Sequence, residues 1–149
     1  MFNKARLKIY PDSVLREKSF PVFDFDKNLQ SLINAMRRIM YEHKGIGLAA
    51  PQIGILKQVI IADVGNGLLT LVNPTILERT GEEILTEGCL SLPGIGVDVP
   101  RSTRLAISGF DQSGKAIEME LSGLMARVVQ HEIDHLNGVL IVDRVKEVE

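Results

Sequence analysis

A helix that is apolar on almost every side belongs in the middle of a domain. Residues Gly123 to Leu136 predict such a helix, with Leu124, Met125, Val128, Val129, Ile133 and Leu136 distributed around it. Ser122 is placed to cap its start, and Asn137-Gly138 to stop it. The same segment carries His131-Glu132-Ile133-Asp134-His135. A four-residue step returns to nearly the same helix face, so His131 and His135 stand one turn apart on a stripe with Leu124 and Val128. Two imidazoles facing a core need partners, and one metal ion satisfies both. Glu132 points about 100° round the helix from His131, beside such an ion without binding it. Two ligands with a neighbouring general base are the layout of a metal-activated hydrolase. A single core histidine satisfied by a hydrogen bond is the commoner situation, but it accounts poorly for two on one stripe.

The third ligand has two candidates, because the chain holds one cysteine, Cys89, and one further histidine, His43. A lone cysteine is often just a small buried hydrophobe. Cys89, however, follows Gly88 in what reads as a loop between strands, where backbone can approach closely. His43 ends an amphipathic helix, where a solvated histidine is ordinary. Cys89 is the stronger candidate and His43 the rival. Three protein ligands leave a fourth position for water, as in catalytic sites, whereas structural sites close with four.

The remaining elements suit a small α+β domain. Leu29, Leu32, Ile33, Met36, Ile39 and Met40 predict a helix near Asp26–His43 with one buried face. Strands are expected at Gln58–Val64, Leu68–Leu71, from Asn73-Pro74 through Leu77, at Glu82–Leu85, Val97–Val99 and Val139–Val142. Arg104–Phe110 and Lys115–Leu121 read as a hairpin around Asp111-Gln112-Ser113-Gly114. Pro11-Asp12-Ser13 reads as a turn leading into a short helical turn. The glycine-rich stretch Gly45 to Gly54 is expected to be neither helix nor strand. Short strands without βαβ alternation point to mainly antiparallel sheets around a buried C-terminal helix, in one catalytic domain over residues 1–149. At 149 residues, 45% hydrophobic and net charge −2, the chain is sized for one core and offers no electrostatic case for nucleic acid. No apolar run reaches the roughly 18 residues that span a membrane. The start of the chain lacks a hydrophobic signal region, and the expected location is the cytoplasm. Gln52 stands out as one amide in an apolar segment. It reads either as a turn residue or as a donor to an oxyanion.

Three segments occur in order: Gly45-Ile46-Gly47-Leu48-Ala49-Ala50-Pro51-Gln52, Glu87-Gly88-Cys89-Leu90-Ser91, and Gln130-His131-Glu132-Ile133-Asp134-His135. They resemble the three signature motifs of the peptide deformylase family. Pro11-Asp12, Leu15-Arg16, Asn73-Pro74 and Asn137-Gly138-Val139-Leu140 extend the likeness over nearly the whole chain. The resemblance implies a hydrolase that removes the formyl group from N-formyl-methionyl peptides and nascent chains, releasing formate. It implies one divalent metal ion on Cys89, His131 and His135, with Fe²⁺ in the cell and Zn²⁺, Ni²⁺ or Co²⁺ able to replace it. It also implies catalytic roles for Glu132, the Gln52 amide and the Leu90 backbone, and transient contact with the ribosome.

The glycine-rich loop is expected to bind the peptide as an added strand along Gly45, Ile46 and Gly47. Val128, Val129 and Ile133 are the expected walls of a methionine pocket. Asp134 on a buried helix requires a cation, and Arg101, Arg104 and Arg127 are its candidates. A zinc metallopeptidase and a structural metal site are the rival functions. The cysteine ligand and Gln52 favour formamide hydrolysis over the first, and the open fourth position argues against the second.

Overall fold

The run Val59-Ile60-Ile61-Ala62 is apolar at every position, which suits a strand covered on both faces of its sheet. The structure is a computed structural model and describes residues 2–145. Its two helices are α1 (Lys27–Glu42) and α2 (Gly123–Leu136). The strands are β1 (Gly47–Ala49), β2 (Val59–Ala62), β3 (Leu69–Thr80), β4 (Glu83–Cys89), β5 (Leu92–Arg101), β6 (Arg104–Phe110) and β7 (Ala116–Ser122). All four β2 side chains are buried. Val59 and Ile61 join the core beneath α1, and Ile60 and Ala62 the core beneath α2. Leu48 and Ala49 of β1, and Val72 and Leu71 of β3, divide between the two cores in the same way. The sheet is therefore sandwiched between the helices, with alternate residues serving opposite sides.

This sheet is antiparallel throughout, in the order β1-β2-β3-β6-β7. β1 is one edge and lies beside α2. Strands β4 and β5 form a separate two-stranded hairpin. No backbone ladder joins that hairpin to the larger sheet among the described residues. Leu92 and Val99 of the hairpin pack with Leu15, Leu140 and Ile141 in a third apolar cluster.

Both helices lie where the periodicity puts them. Asp26 caps α1 by accepting a hydrogen bond from the Leu29 N–H at 3.0 Å. Ser122 is the N-cap residue of α2, although its hydroxyl makes no capping bond. Leu124, the second residue of α2, is 52% exposed, while Met125 and Ala126 of the same turn already pack on the core beneath the helix.

Four expectations need correction. The stretches Leu68–Leu71 and Asn73–Leu77 are one long strand, interrupted by a bulge between Val72 and Thr75. Asn73 there has φ 50°, and its side-chain amide exchanges two 2.8 Å hydrogen bonds with the Val22 backbone. Pro74 cannot donate to the ladder, and a bulge is where a strand tolerates it. The glycine-rich segment contains strand β1 and a 3-10 turn at Ala50–Ile53. The supposed loop from Glu87 to Gly94 is mostly strand, turning tightly at Leu90-Ser91 so that Cys89 pairs with Leu92. Its glycines, serine and proline imitated a loop. Val139–Val142 is not a strand. Ile141–Asp143 forms a 3-10 turn, and Leu140 and Ile141 are buried by side-chain packing without a sheet partner.

Ile60 and Ile61 are adjacent but serve different cores. Ile60→Val and Ile61→Val should each cost about 0.5–1.5 kcal/mol. Because their side chains pack in different cores on opposite faces of the sheet, the double variant should lose the sum within about 0.5 kcal/mol in urea unfolding.

Candidate metal centre and active site

Helix α2 delivers two imidazoles and the β4–β5 turn delivers a thiol. The Nε2 atoms of His131 and His135 lie 3.2 Å apart, and Cys89 Sγ is 3.4 Å from His135 Nε2. All three donor atoms lie within 4.8 Å of one another. A tetrahedral ion bound at about 2.0–2.1 Å by nitrogen and about 2.3 Å by sulfur spaces its ligand atoms about 3.3–3.6 Å apart. The chain thus holds a soft sulfur donor and two imidazoles at the separation an ion needs. His43 is exposed at the end of α1 and takes no part.

The charges around the site also call for a cation. Burial works against a proton on His131, yet Glu132, Cys89 and Glu87 outweigh it and raise His131 to about 10. His135 is pushed well below the usual histidine range by burial and by the charge on His131. The His131 Nδ1–H donates to Glu87 Oε1 at 2.9 Å, which turns Nε2 toward the cluster. Burial alone would push Glu87 up, but hydrogen bonds from His131 and Arg101 hold it down at about 2.

Glu132 is buried beside the donor set. Burial pushes its carboxyl up to about 7, against the pull of the His131 and Arg101 charges. Its Oε1 has no hydrogen-bond partner. Gln52 is 1% exposed, and its orientation is settled by two bonds. Its Oε1 accepts from the Ala49 N–H at 2.9 Å, and its Nε2 donates to Ser91 Oγ at 3.2 Å, 3.6 Å from Cys89 Sγ. The side-chain N–H group thus points into the metal cluster.

These groups open onto a cavity of about 650 Å³. Gly45, Ile46 and Gly47 line one side, and Gly88, Cys89, Leu90 and the Gly94-Ile95-Gly96 stretch of β5 line another. Val128 lies in the wall while also joining the core beneath α2, whereas Val129 and Ile133 pack in that core with Ile60 and Leu105 and do not line the cavity. Of the three residues expected to wall a methionine pocket, the structure brings Val128 alone to the cavity. A stripe of 3.6-residue period cannot put residues 128 and 129 on one narrow face. Gly47 is required by close approach: a Cβ there would collide with Glu132 Oε2 and lie 2.6 Å from Val128 Cγ1. Gly88 has no such constraint, since a Cβ there would meet only Ile95 O at 3.8 Å.

The ion-pair network behind the site was only partly legible. Arg101 Nη1 donates to Asp134 at 2.5 Å, and Arg144 adds two further bonds to the same carboxylate at 2.9 and 3.1 Å. Arg104 is exposed on β6 and takes no part, while Arg127 is committed to Glu87. Glu87 itself was missed as a supporting residue. The available signal was a carboxylate two residues before the ligand cysteine in a strand otherwise exposed along most of its length.

Three protein ligands with a fourth side open to a cavity mark a catalytic metal site rather than a structural one. Among α+β folds with such a site, this molecule is a metal-dependent hydrolase. A family model described as polypeptide deformylase matches residues 4–149. A peptide deformylase of Thermotoga maritima is 48% identical over 141 residues, covering 94% of this chain and 86% of that one. That of Thermodesulfovibrio yellowstonii is 45% identical over 144 residues, covering 93% and 87%. A crystal structure of peptide deformylase from Thermotoga maritima superposes with TM-score 0.94 at 46% identity, covering 96% of this chain and 98% of the other. One from Synechococcus elongatus, in complex with actinonin, gives TM-score 0.93 at 44% identity, covering 96% and 79%. The chain belongs to the polypeptide deformylase family, whose members remove N-formyl groups from nascent peptides with a bound metal.

A metal must displace the proton from His131, which is raised to about 10 in the metal-free site. Below that value affinity is lost as pH falls, at about tenfold per pH unit for one proton. Chelator-competition titrations of Zn²⁺ between pH 6 and 8 should show a slope of at least that size.

Proposed function

We propose that Cys89, His131 and His135 hold the metal, that Glu132 carries the proton, and that Gln52 and the Leu90 N–H receive the oxyanion. The observation that carries this reading is the buried Glu132 carboxyl, with one oxygen unpartnered, beside the three donors at the cavity. When bound, a divalent ion supplies Lewis acidity and lowers the pKa of a water to about 7 in favourable sites. The attacking water gives its proton to Glu132. As the formyl C–N bond breaks, Glu132 returns that proton to the leaving amine, and formate departs. A carboxyl at about 7 is suited to both transfers at neutral pH. The negative charge that develops on the formyl oxygen meets the Gln52 side-chain N–H, already aimed at the cluster. Each such donor is worth about 10²–10³ in rate.

The peptide lies extended along Gly45-Ile46-Gly47. β1 is an edge strand, and this segment borders the cavity, so the backbone can accept one more strand. Main-chain bonding tolerates many sequences beyond methionine, as a general processing enzyme requires. The methionine side chain takes the apolar wall that includes Val128 and Leu124. Thiolate and imidazole donors suit Fe²⁺, which we assign as the ion in the cell, with Zn²⁺, Ni²⁺ and Co²⁺ as replacements. Residues 1–149 act as one catalytic domain in the cytoplasm, meeting nascent chains through transient contact with the ribosome. Among the described residues no helix is long and apolar enough to cross a membrane.

Glu132→Gln should retain one metal ion per chain and lose about 10²–10⁴ in formate release from a formyl-methionyl peptide. Turnover close to wild type would remove Glu132 from the mechanism. Gly47→Ala adds no backbone strain, because φ there is not left-handed, but its methyl group crowds buried side chains, so cooperative unfolding by circular dichroism is checked before the kinetics are read. The methyl group meets Glu132 and Val128, and kcat/KM should fall by at least about tenfold. Unchanged kinetics would contradict both the position of Glu132 and the path of the peptide.

A further inference from the structure

Among the described residues no backbone ladder joins the hairpin that carries Cys89 to the sheet that α2 packs on, so side-chain contacts between the hairpin and α2 contribute to holding the thiol against the two imidazoles. One α2 side chain reaches both hairpin strands. Arg127 is 7% exposed, and its Nη1 donates to Glu87 Oε2 at 2.5 Å and to the Val99 carbonyl at 3.0 Å. Its Nη2 donates to the Glu83 carbonyl at 2.5 Å. Glu83 and Glu87 are on β4, and Val99 is on β5. Arg127 stands four residues before His131, one helical turn away on the same side. Glu87 stands two residues before Cys89, and its other oxygen holds the His131 ring. One carboxylate therefore joins the arginine, the hairpin and a ligand imidazole.

We infer that Arg127 is a positioning residue of the metal site: it fixes the distance between Cys89 on the hairpin and the histidines on α2. Its planar fork spans two strands at once, which a lysine ammonium cannot reproduce. Arg101 makes a second link between the same two elements, from the hairpin side. It lies on the hairpin itself and binds Glu87 through Nε and Nη2 at 3.0 Å, while also binding Asp134. When Arg127 is removed, Glu87 keeps its two bonds from Arg101 and its bond from His131, so its charge stays paired. The Glu87–His131 and Arg101–Asp134 links then keep the hairpin on α2, while the tie from α2 to the Glu83 and Val99 carbonyls is lost and the thiol is less tightly registered. Arg127 also lines the substrate cavity, which places this latch in the wall that the bound peptide touches.

This inference rests on the Cys-His-His metal site proposed above, and the test separates the two. Apo-protein is loaded with Co²⁺, whose thiolate charge-transfer absorption reports the sulfur ligand directly, and Co²⁺ affinity is measured by chelator competition. Cys89→Ser should abolish that absorption whatever Arg127 does; if it does not, the ligand assignment itself fails. Arg127→Met and Arg127→Lys should each weaken Co²⁺ binding by about 10–100-fold and reduce the absorption per bound ion. Both metal-free variants should still unfold cooperatively, as followed by circular dichroism. Wild-type affinity and absorption in both variants would overturn the proposal. So would wild-type binding in Arg127→Lys together with an Arg127→Met that does not fold, because that pattern assigns Arg127 to general stability.

Discussion

The carboxylate of Glu87 is the point on which the site depends. It is buried, and it accepts from Arg101, Arg127 and the His131 ring at once. A buried anion with a single partner is costly, because its attraction seldom offsets its lost hydration. Several donors change that balance and keep the group charged, held at about 2 by the His131 and Arg101 hydrogen bonds despite burial. What this arrangement delivers is geometry. The hairpin, the helix and the imidazole are each fastened to the same two oxygen atoms.

The large sheet and its two helices supply rigidity rather than chemistry. Both faces of β2 are covered, so α2 is seated on a surface that cannot slide without exposing Ile60 and Ala62. Its first turn packs Met125 and Ala126 on that core but leaves Leu124 exposed at the cavity, while His131 and His135 lie deep. Burial in turn sets the proton chemistry, pushing Glu132 up and His135 down. The reactive groups thus owe their acidities to the packing that positions them. The Glu132 carboxyl owes its space to glycine, since any side chain at Gly47 would enter its volume.

Periodicity was enough for both helices, because each buries a broad apolar stripe and ends at recognisable caps. The hairpin of Arg104–Phe110 with Ala116–Ser122 was legible for a similar reason, as its turn residues and alternation agree. The reading failed where side-chain composition and backbone state diverge. Glycine, serine and proline from Glu87 to Gly94 look like loop, yet they form strands because the hairpin is shallow and largely exposed. Leu140 and Ile141 look like strand, yet they are buried by packing against Leu15 and Val99 with no ladder. Val129 and Ile133 were apolar neighbours of the ligands, but helical rotation turns them into the core.

The sequence by itself determined the ligand chemistry, since spacing on one helix face and one cysteine in the chain leave few ways to build a site. It also determined the choice of small residues along Gly45-Ile46-Gly47 and the placement of an amide at Gln52. Only the tertiary structure decided that Cys89, and not His43, closes the donor set, because that rests on a contact 42 residues from one histidine and 46 from the other. It alone assigned Asp134 to Arg101 and Arg144, and Glu87 to Arg127, among several cations equally near in composition. Local pattern encodes which face of an element is apolar. Which charged groups meet across elements depends on how those faces pack, and no periodicity records it.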